Sequence, residues 1–380
     1  MISIYPSTYN RFTCKAGVCK HTCCQTWEID IDAETVAFYQ QLDTSLGQEI
    51  RQAMRQTEDG WCFKLGADNK CQLLREDGLC PIVLELGEEA LGAICHNHPR
   101  FYKYIENLEL CGVGLACERT CELLLGMEAL SYVAVADSQE EFLYLQSVLG
   151  KTKLNDVNDV NDVNDINDIN DIKDIKDIKD IYNLSVREKQ VSLLDVGEGQ
   201  FTSDLYDEQE TINKSGAEED IHLKEVSLKG LADIVNILGI EVDSCDLQFE
   251  PGLTVERAQV LLERYGALES LQETWITDRE VLQKQLGKML VSYKEMTSKD
   301  IDLYNRLYTY ILYRQLDALS QYEWPILLDY AWDATEYIAL LTALNGDLLR
   351  QTARWSEEIE YDEDNVKALL QSYAEEYGYE

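Results

Sequence analysis

The stretch that decides the reading is Cys14-Lys15-Ala16-Gly17-Val18-Cys19-Lys20-His21-Thr22-Cys23-Cys24, followed by Cys71-Gln72-Leu73-Leu74-Arg75-Glu76-Asp77-Gly78-Leu79-Cys80 and by Cys95-His96-Asn97-His98-Pro99-Arg100. Eleven of the twelve cysteines lie before residue 122. Cysteines used as small core hydrophobes would be scattered along the chain. A disulfide framework suits a short secreted protein, and this chain has 380 residues. The cluster therefore reads as a metal site, in which thiolates from two or more segments converge on zinc or on an iron–sulfur cluster. The C-x4-C-x3-C-C spacing leaves the metal open. The side chains of a doublet diverge, so Cys23 and Cys24 rarely serve one ion together. The bland alternative is a set of reduced structural cysteines.

Outward from that stretch, MISIYPSTYN has no basic segment followed by an apolar core, and nowhere do eighteen apolar residues run together. The expectation is a soluble cytoplasmic protein. Its net charge of -38, from 71 acidic against 33 basic residues, argues against nucleic-acid phosphates and against an anionic membrane surface as partners. A hydrophobic content of 45% over this length is enough to fill two domains.

Trp27-Glu28-Ile29-Asp30-Ile31-Asp32 alternates apolar and acidic residues, which predicts an extended entry into helix over 33–54. Asp77-Gly78 marks a turn that holds Cys71 and Cys80 in a hairpin-like loop. A helix from Gly87 delivers Cys95 and ends near Pro99, and Cys117 and Cys121 share one helical face. His21, His96 and His98 sit beside these cysteines, where each is a ligand candidate or a supporting or surface histidine. Arg100 is able to hold a carboxylate bidentately or to make a structural salt bridge.

Residues 155–181 repeat Asn-Asp-Val, Asn-Asp-Ile and Lys-Asp-Ile in nine triplets. A period of three matches neither strand nor helix, so the expectation is a low-complexity insertion that continues as a disordered connector to about Glu219. Within it, Leu193-Leu194-Asp195-Val196-Gly197-Glu198-Gly199 mimics a cofactor-binding glycine loop. It lacks the flanking strand and βα units such a loop needs, and reads as a chance match. From Glu225 onward the pattern is helical. Gly239 is a stop signal, Thr254 an N-cap, and a tyrosine-rich helix runs through Tyr310 and Arg314. The acidic tail over 354–365 reads as a solvated helix face. The expected fold is mainly α. It comprises a cysteine-rich metal or iron–sulfur domain with short extended segments (1–150), the connector (151–219) and an all-helical C-terminal domain (220–380).

Together these segments resemble the flagellin lysine-N-methylase family, with its zinc- or iron-chelating cysteine domain. The resemblance is carried by Tyr5-Pro6, the first cysteine run with Trp27 and Asp30-Ile31-Asp32, the pair Cys71 and Cys80 with Gly78, and Cys95 with Pro99-Arg100. It continues in Gly114-Leu115-Ala116-Cys117-Glu118, in Tyr310 with Arg314, and in Ser356-Glu357-Glu358-Ile359-Glu360 with Asn365. It implies transfer of methyl from S-adenosylmethionine to flagellin lysines, and an iron–sulfur cluster of the four-iron type, with zinc as the alternative. The metal ligands it implies are Cys14, Cys19, Cys23, Cys24, Cys71, Cys80, Cys95 and Cys117. Cys62, Cys111 and Cys121 are additional. The chemistry of methyl transfer makes Arg100 and Glu118 candidates at the cofactor, Glu357 or Glu360 candidates at the sulfonium or the lysine, and Tyr310 a candidate to orient the amine. A metal-binding or redox-sensing scaffold without catalysis is the competing reading.

Overall fold

The computed structural model describes residues 1–58, 60–156 and 224–379. The triplet repeat beyond Asp156, the connector and the 193–199 glycine segment lie outside the described residues. Two compact units are present, one made of Met1–Ala136 with Glu225–Glu380 and the other of Asp137–Lys224.

The larger unit opens with β1 (Ile2–Pro6) and a turn of helix, α1 (Ser7–Asn10). The cysteine loop follows, leading into β2 (Ile29–Ile31), α2 (Ala33–Gln41), α3 (Ser45–Ala53), β3 (Met54–Gln56) and β4 (Trp61–Phe63). Next come α4 (Pro81–Leu86), α5 (Ala93–Asn97), the hairpin β5 (Arg100–Ile105) and β6 (Leu108–Val113), α6 (Glu118–Gly126) and β7 (Tyr132–Ala136). In the second unit, α7 (Gln139–Asp156) begins where the Glu141 carboxylate accepts the Asp137 and Ser138 N–H groups. The chain resumes with β8 (Lys224–Leu228), α8 (Leu231–Ile237), α9 (Val255–Gly266), α10 (Glu273–Lys299), α11 (Ile301–Arg314), α12 (Trp324–Asn345) and α13 (Leu348–Trp355). A π-helical turn, Ser356–Glu360, leads to α14 (Glu363–Glu376).

The N-terminal region contains sheets and the C-terminal region is helical. Five strands form one sheet in the order β5-β6-β1-β7-β8, and β2-β4-β3 form another. β1 lies parallel to β6 and antiparallel to β7, which satisfies its backbone on both edges, and all five of its residues are buried. Three local expectations are met. Ile29 and Ile31 face inward while Asp30 stays out. The Thr254 hydroxyl caps α9 by accepting the Arg257 N–H at 3.2 Å, and Gly239 adopts a φ of +76° just past α8.

Three expectations change. The predicted helix over 33–54 breaks into α2 and α3 at Thr44, which caps α3 through the Gly47 N–H. β8 occupies the beginning of what read as continuous helix. The acidic tail is no solvated face, because Ser356, Glu357, Glu358 and Ile359 are buried.

The helices meet the sheet through α11. The Tyr310 hydroxyl donates to the Val113 carbonyl at 2.7 Å and accepts the Val113 N–H at 3.1 Å. The Tyr313 hydroxyl lies 2.6 Å from the Cys111 carbonyl and 3.0 Å from that of Ile4. Behind α11, the buried acids Asp333 and Glu336 of α12 are neutralised by Arg257 and Arg264 of α9. Losing a hydroxyl from a buried pair of this kind costs about 1–3 kcal/mol, because the backbone partner is left unpaired. Tyr310→Phe and Tyr313→Phe should each lower the unfolding free energy by that amount, read as a lower urea midpoint with an unchanged m-value. A neutral result for both would show that these hydroxyls do not join helix to sheet.

Candidate functional site

The cysteine loop is held by one buried carboxylate. Glu118, the first residue of α6, receives the Lys20 and His21 N–H groups on one oxygen at 2.9 and 3.0 Å, and Lys15 Nζ on the other at 2.6 Å. Burial pulls its pKa upward, but the hydrogen bonds from Lys15 and the His21 N–H outweigh that and hold it below the ordinary glutamate value. Gly17 lies against Asp77 and Gly78 of the second cysteine segment, where Gly78 has a φ of +76°. The loop is thus clasped between α6 and the 71–80 turn.

The carboxyl-terminal motif comes to the same place. His21 has Arg350, Glu118 and Glu357 as electrostatic neighbours. Glu357 is held bidentately by Arg350, at 2.8 and 3.2 Å. Glu360, whose carboxylate side chain is buried, accepts from Arg314 Nε at 2.8 Å and from the Ser356 hydroxyl at 2.7 Å. Arg314 also lies over the Phe101 ring, and its Nη1 is buried with no partner among the described residues. Glu358 accepts the Leu271 N–H at 2.8 Å, and its pKa is pushed up to about 7 by burial. Asn365 latches the π-helical turn by donating to the carbonyls of Glu358 and Glu269, both at 3.0 Å. π-helical turns concentrate at functional sites.

Aromatic rings line the junction. Trp27 and Tyr361 lie nearly parallel, with centroids 5.7 Å apart, and His98 stands 6.5 and 6.2 Å from them. Burial pushes the His98 pKa down to about 4, so its imidazole is neutral at neutral pH. The Tyr361 hydroxyl reaches to Gly114, where a Cβ would collide with it. Glycine at 114 is therefore a packing requirement of the ring that follows the π-helical turn.

The sequence-derived residues fall into three groups. Cys117, Cys19, Cys23, Glu118, Glu357 and Glu360 are brought together here. Tyr310 is close to Glu360 but is buried, with its hydroxyl committed to Val113, so it is in no position to orient an amine. Arg100 lies over the Tyr9 and Phe12 rings, at 5.8 and 5.5 Å, where it packs as a cation on aromatic faces. Arg314, Arg350 and Tyr361 were not assigned roles from sequence. For Arg350 and Tyr361 the signal that was available is their nearness in the chain to the 356–360 motif, whereas Arg314 reaches Glu360 only through the fold.

All twelve cysteines are free thiols. Among the described residues no three Cys, His, Asp or Glu side chains are arranged to hold one metal ion. The thiols are nonetheless a donor set suited to a soft metal centre. Burial pushes Cys19 and Cys71 up to about 11 and Cys95 up to about 12, a cost that bound cationic metal offsets. Burial raises the pKa of Cys80 and Cys117 as well, and the N–H groups of Ile82 and Val83 at Cys80, and of Thr120 and Arg119 at Cys117, offset it only in part. Cys111 and Cys121 are buried, Cys121 donating to the Leu115 carbonyl, and Cys62 lies beside Glu28.

The chain matches no family model and no solved structure. It is 30% identical over 144 residues to a lysine-N-methylase of Salmonella typhimurium, a stretch that is 36% of each chain. It is 29% identical over 133 residues to the flagellar biosynthetic protein FliU of Salmonella muenchen, covering 33% of this chain and 79% of that one. The chain thus spans about a third of the lysine-N-methylase that it matches. No helix among the described residues is long and apolar enough to cross a membrane.

Glu118→Gln should speed amide exchange at Lys20 and His21 by about tenfold or more while leaving β5 and β6 protected, since a charge-assisted bond is worth about 1.5–3 kcal/mol. Equal protection in both proteins would remove Glu118 as the clasp. Glu358 sets a pH dependence. Its folded value lies above the ordinary glutamate value, so its stability contribution is complete below that ordinary value and is lost as pH rises through about 7. Glu358→Gln should therefore match the native Tm near pH 5 and exceed it by about 5 °C near pH 8. Parallel Tm curves would refute a neutral buried Glu358.

Proposed function

We propose that the chain is a protein-lysine N-methyltransferase that moves methyl from S-adenosylmethionine to lysine side chains of flagellin. The observation that carries this reading is the junction where Glu118, the Arg350–Glu357 and Arg314–Glu360 pairs, and the Trp27 and Tyr361 rings meet. The similarity to lysine-N-methylases over about a third of the chain supports it. Both reactants are onium ions before reaction: the methyl donor is a sulfonium and the lysine is an ammonium. Aromatic faces beside acidic residues attract such cations, and the net charge of -38 favours their approach.

The residues divide the work. Trp27 and Tyr361 offer the faces on which a methylsulfonium or alkylammonium rests. Arg314, whose Nη1 is buried with no partner among the described residues, would hold a carboxylate such as the amino-acid end of the methyl donor. Glu357 and Glu360 fix the two arginines and so set the direction of approach. The lysine must lose its proton before its lone pair attacks the methyl carbon, and the carbon–sulfur electrons leave on sulfur. An iron–sulfur or zinc centre, when bound, would order the cysteine loop from which Trp27 projects.

The test is incubation of anaerobically purified protein with flagellin and methyl-labelled S-adenosylmethionine, read by intact-protein mass. Successive single-methyl increments are expected, formed faster as pH rises and the lysine deprotonates. Trp27→Leu and Tyr361→Leu should lower the rate about tenfold each. Fully metal-loaded protein that adds no methyl would overturn the reading in favour of a metal-binding scaffold.

A further inference from the structure

α11 carries Arg306, Tyr310 and Arg314 four residues apart, which in a helix puts all three on one face. Each reaches a different neighbour. Tyr310 meets the end of β6 at Val113, and Arg314 meets Glu360 of the π-helical turn. Arg306 meets α6: its Nε donates to the Leu124 carbonyl at 3.3 Å, its Nη2 to that of Leu125 at 3.1 Å and its Nη1 to that of Glu128 at 3.2 Å. All three guanidinium nitrogens are thus spent on the carboxyl-terminal end of one helix.

That end needs the contact for a local reason. A helix leaves its last carbonyls without partners, and they are commonly covered by a glycine in the left-handed region just past the end or by a basic residue in the last turn. α6 has neither. Its last turn is Leu123-Leu124-Leu125-Gly126, and Met127 leaves it extended, with φ -86° and ψ 156°. The missing cation is supplied by α11. The other end of α6 carries Glu118, which holds the Lys20 and His21 N–H groups at 2.9 and 3.0 Å. α6 has nine residues. At about 1.5 Å per residue its ends stand roughly 12 Å apart, so a tilt of about ten degrees moves one end by roughly 2 Å relative to the other. A shift of that size breaks hydrogen bonds of this length.

We propose that Arg306 is a positioning residue: by capping the carboxyl-terminal end of α6 it sets the tilt of that helix and so keeps Glu118 on the Lys20–His21 backbone. Tyr310 fixes the strand that leads into α6, and Arg306, one helical turn earlier on the same face of α11, fixes the end that leads out. The two contacts together deny the helix a pivot. Arginine suits the place because its fork spans several carbonyls at once, whereas a lysine presents a single point charge. The bearing of Arg306 on catalysis rests on the proposed methyl transfer. Its bearing on the loop does not.

The test compares full-length Arg306→Met, Arg306→Lys and Thr254→Ala with the native chain, by amide exchange and by methyl transfer. Thr254→Ala loses the cap of α9 and serves as a protein that is less stable with Arg306 intact. Arg306→Met should speed exchange at Lys20 and His21 about tenfold or more while β5 and β6 stay protected, and Arg306→Lys should show a smaller rise. Thr254→Ala should leave those two amides as they are. In the transfer assay Arg306→Met should lower kcat about tenfold with the KM for S-adenosylmethionine unchanged. Native exchange at Lys20 and His21 in both Arg306 variants, an equal rise in Thr254→Ala, or a raised KM at unchanged kcat would each overturn the positioning role. Where Arg306→Met does not fold, Arg306→Lys decides by the same readouts. A native chain that transfers no methyl would remove the proposed activity, and the exchange result would still decide the role of Arg306.

Discussion

Much of the larger unit depends on two phenol groups meeting backbone carbonyls. A β-strand at the centre of a sheet spends its N–H and C=O groups on its neighbours, and the ends of the ladder are where free groups remain. α11 supplies Tyr310 to Val113, the last residue of β6, and Tyr313 to the carbonyls of Cys111 and Ile4. A phenol is long enough to reach a backbone from a helix axis while its ring fills the gap with apolar surface. The sequence distance bridged is large, and that is how the amino-terminal sheet and the carboxyl-terminal helices come to share one core. The same contacts set the position of α6, whose first residue carries the buried Glu118 carboxylate.

Burying that much charge needs partners of matching shape. Glu357, Glu360 and Asp333 each meet a guanidinium in the interior, where an unpaired carboxylate would cost several kcal/mol. Arginine suits the role because its planar fork satisfies two acceptor atoms at once. Glu336 is held less completely, its Arg257 partner being partly exposed, and burial pushes its pKa up to about 7. The helical region thus holds two buried acids, Glu336 and Glu358, whose pKa burial pushes up to about 7, while neighbouring acids are fixed by arginine.

The parts of this arrangement that could be read from sequence are those with local causes. The Thr254 cap, the inward Ile29 and Ile31, and the glycines at 78 and 239 each follow from a residue and its immediate neighbours. β6 was not legible as a strand, because it is buried on both faces and so shows no alternation. The tail defeated the pattern for a different reason. Ser356-Glu357-Glu358-Ile359-Glu360 has the charge of a surface helix, and Arg314, Arg350, Asn365 and the Leu271 N–H, all supplied by other segments, make its burial tolerable. Tyr310 was legible as important and not as structural, since a phenol that binds a backbone carbonyl leaves the same sequence signature as one that faces a substrate.

Between the cysteines and the acids there is a further physical connection. Thiols buried as deeply as Cys23, Cys95 and Cys117 stay protonated unless a cation compensates them, and the lysine and arginines nearby are already engaged by Glu118, Glu357 and Glu360. The protein's own positive charge is thus not free to stabilise thiolates. Metal that entered would convert the loop from residues held by one carboxylate to residues cross-linked at several sulfurs, and Trp27, three residues beyond Cys24, would be fixed against Tyr361 as a result. On the proposal that these thiols bind metal, order in the thiols would reinforce the stacking of Trp27 on Tyr361, and the metal's contribution there would be one of positioning.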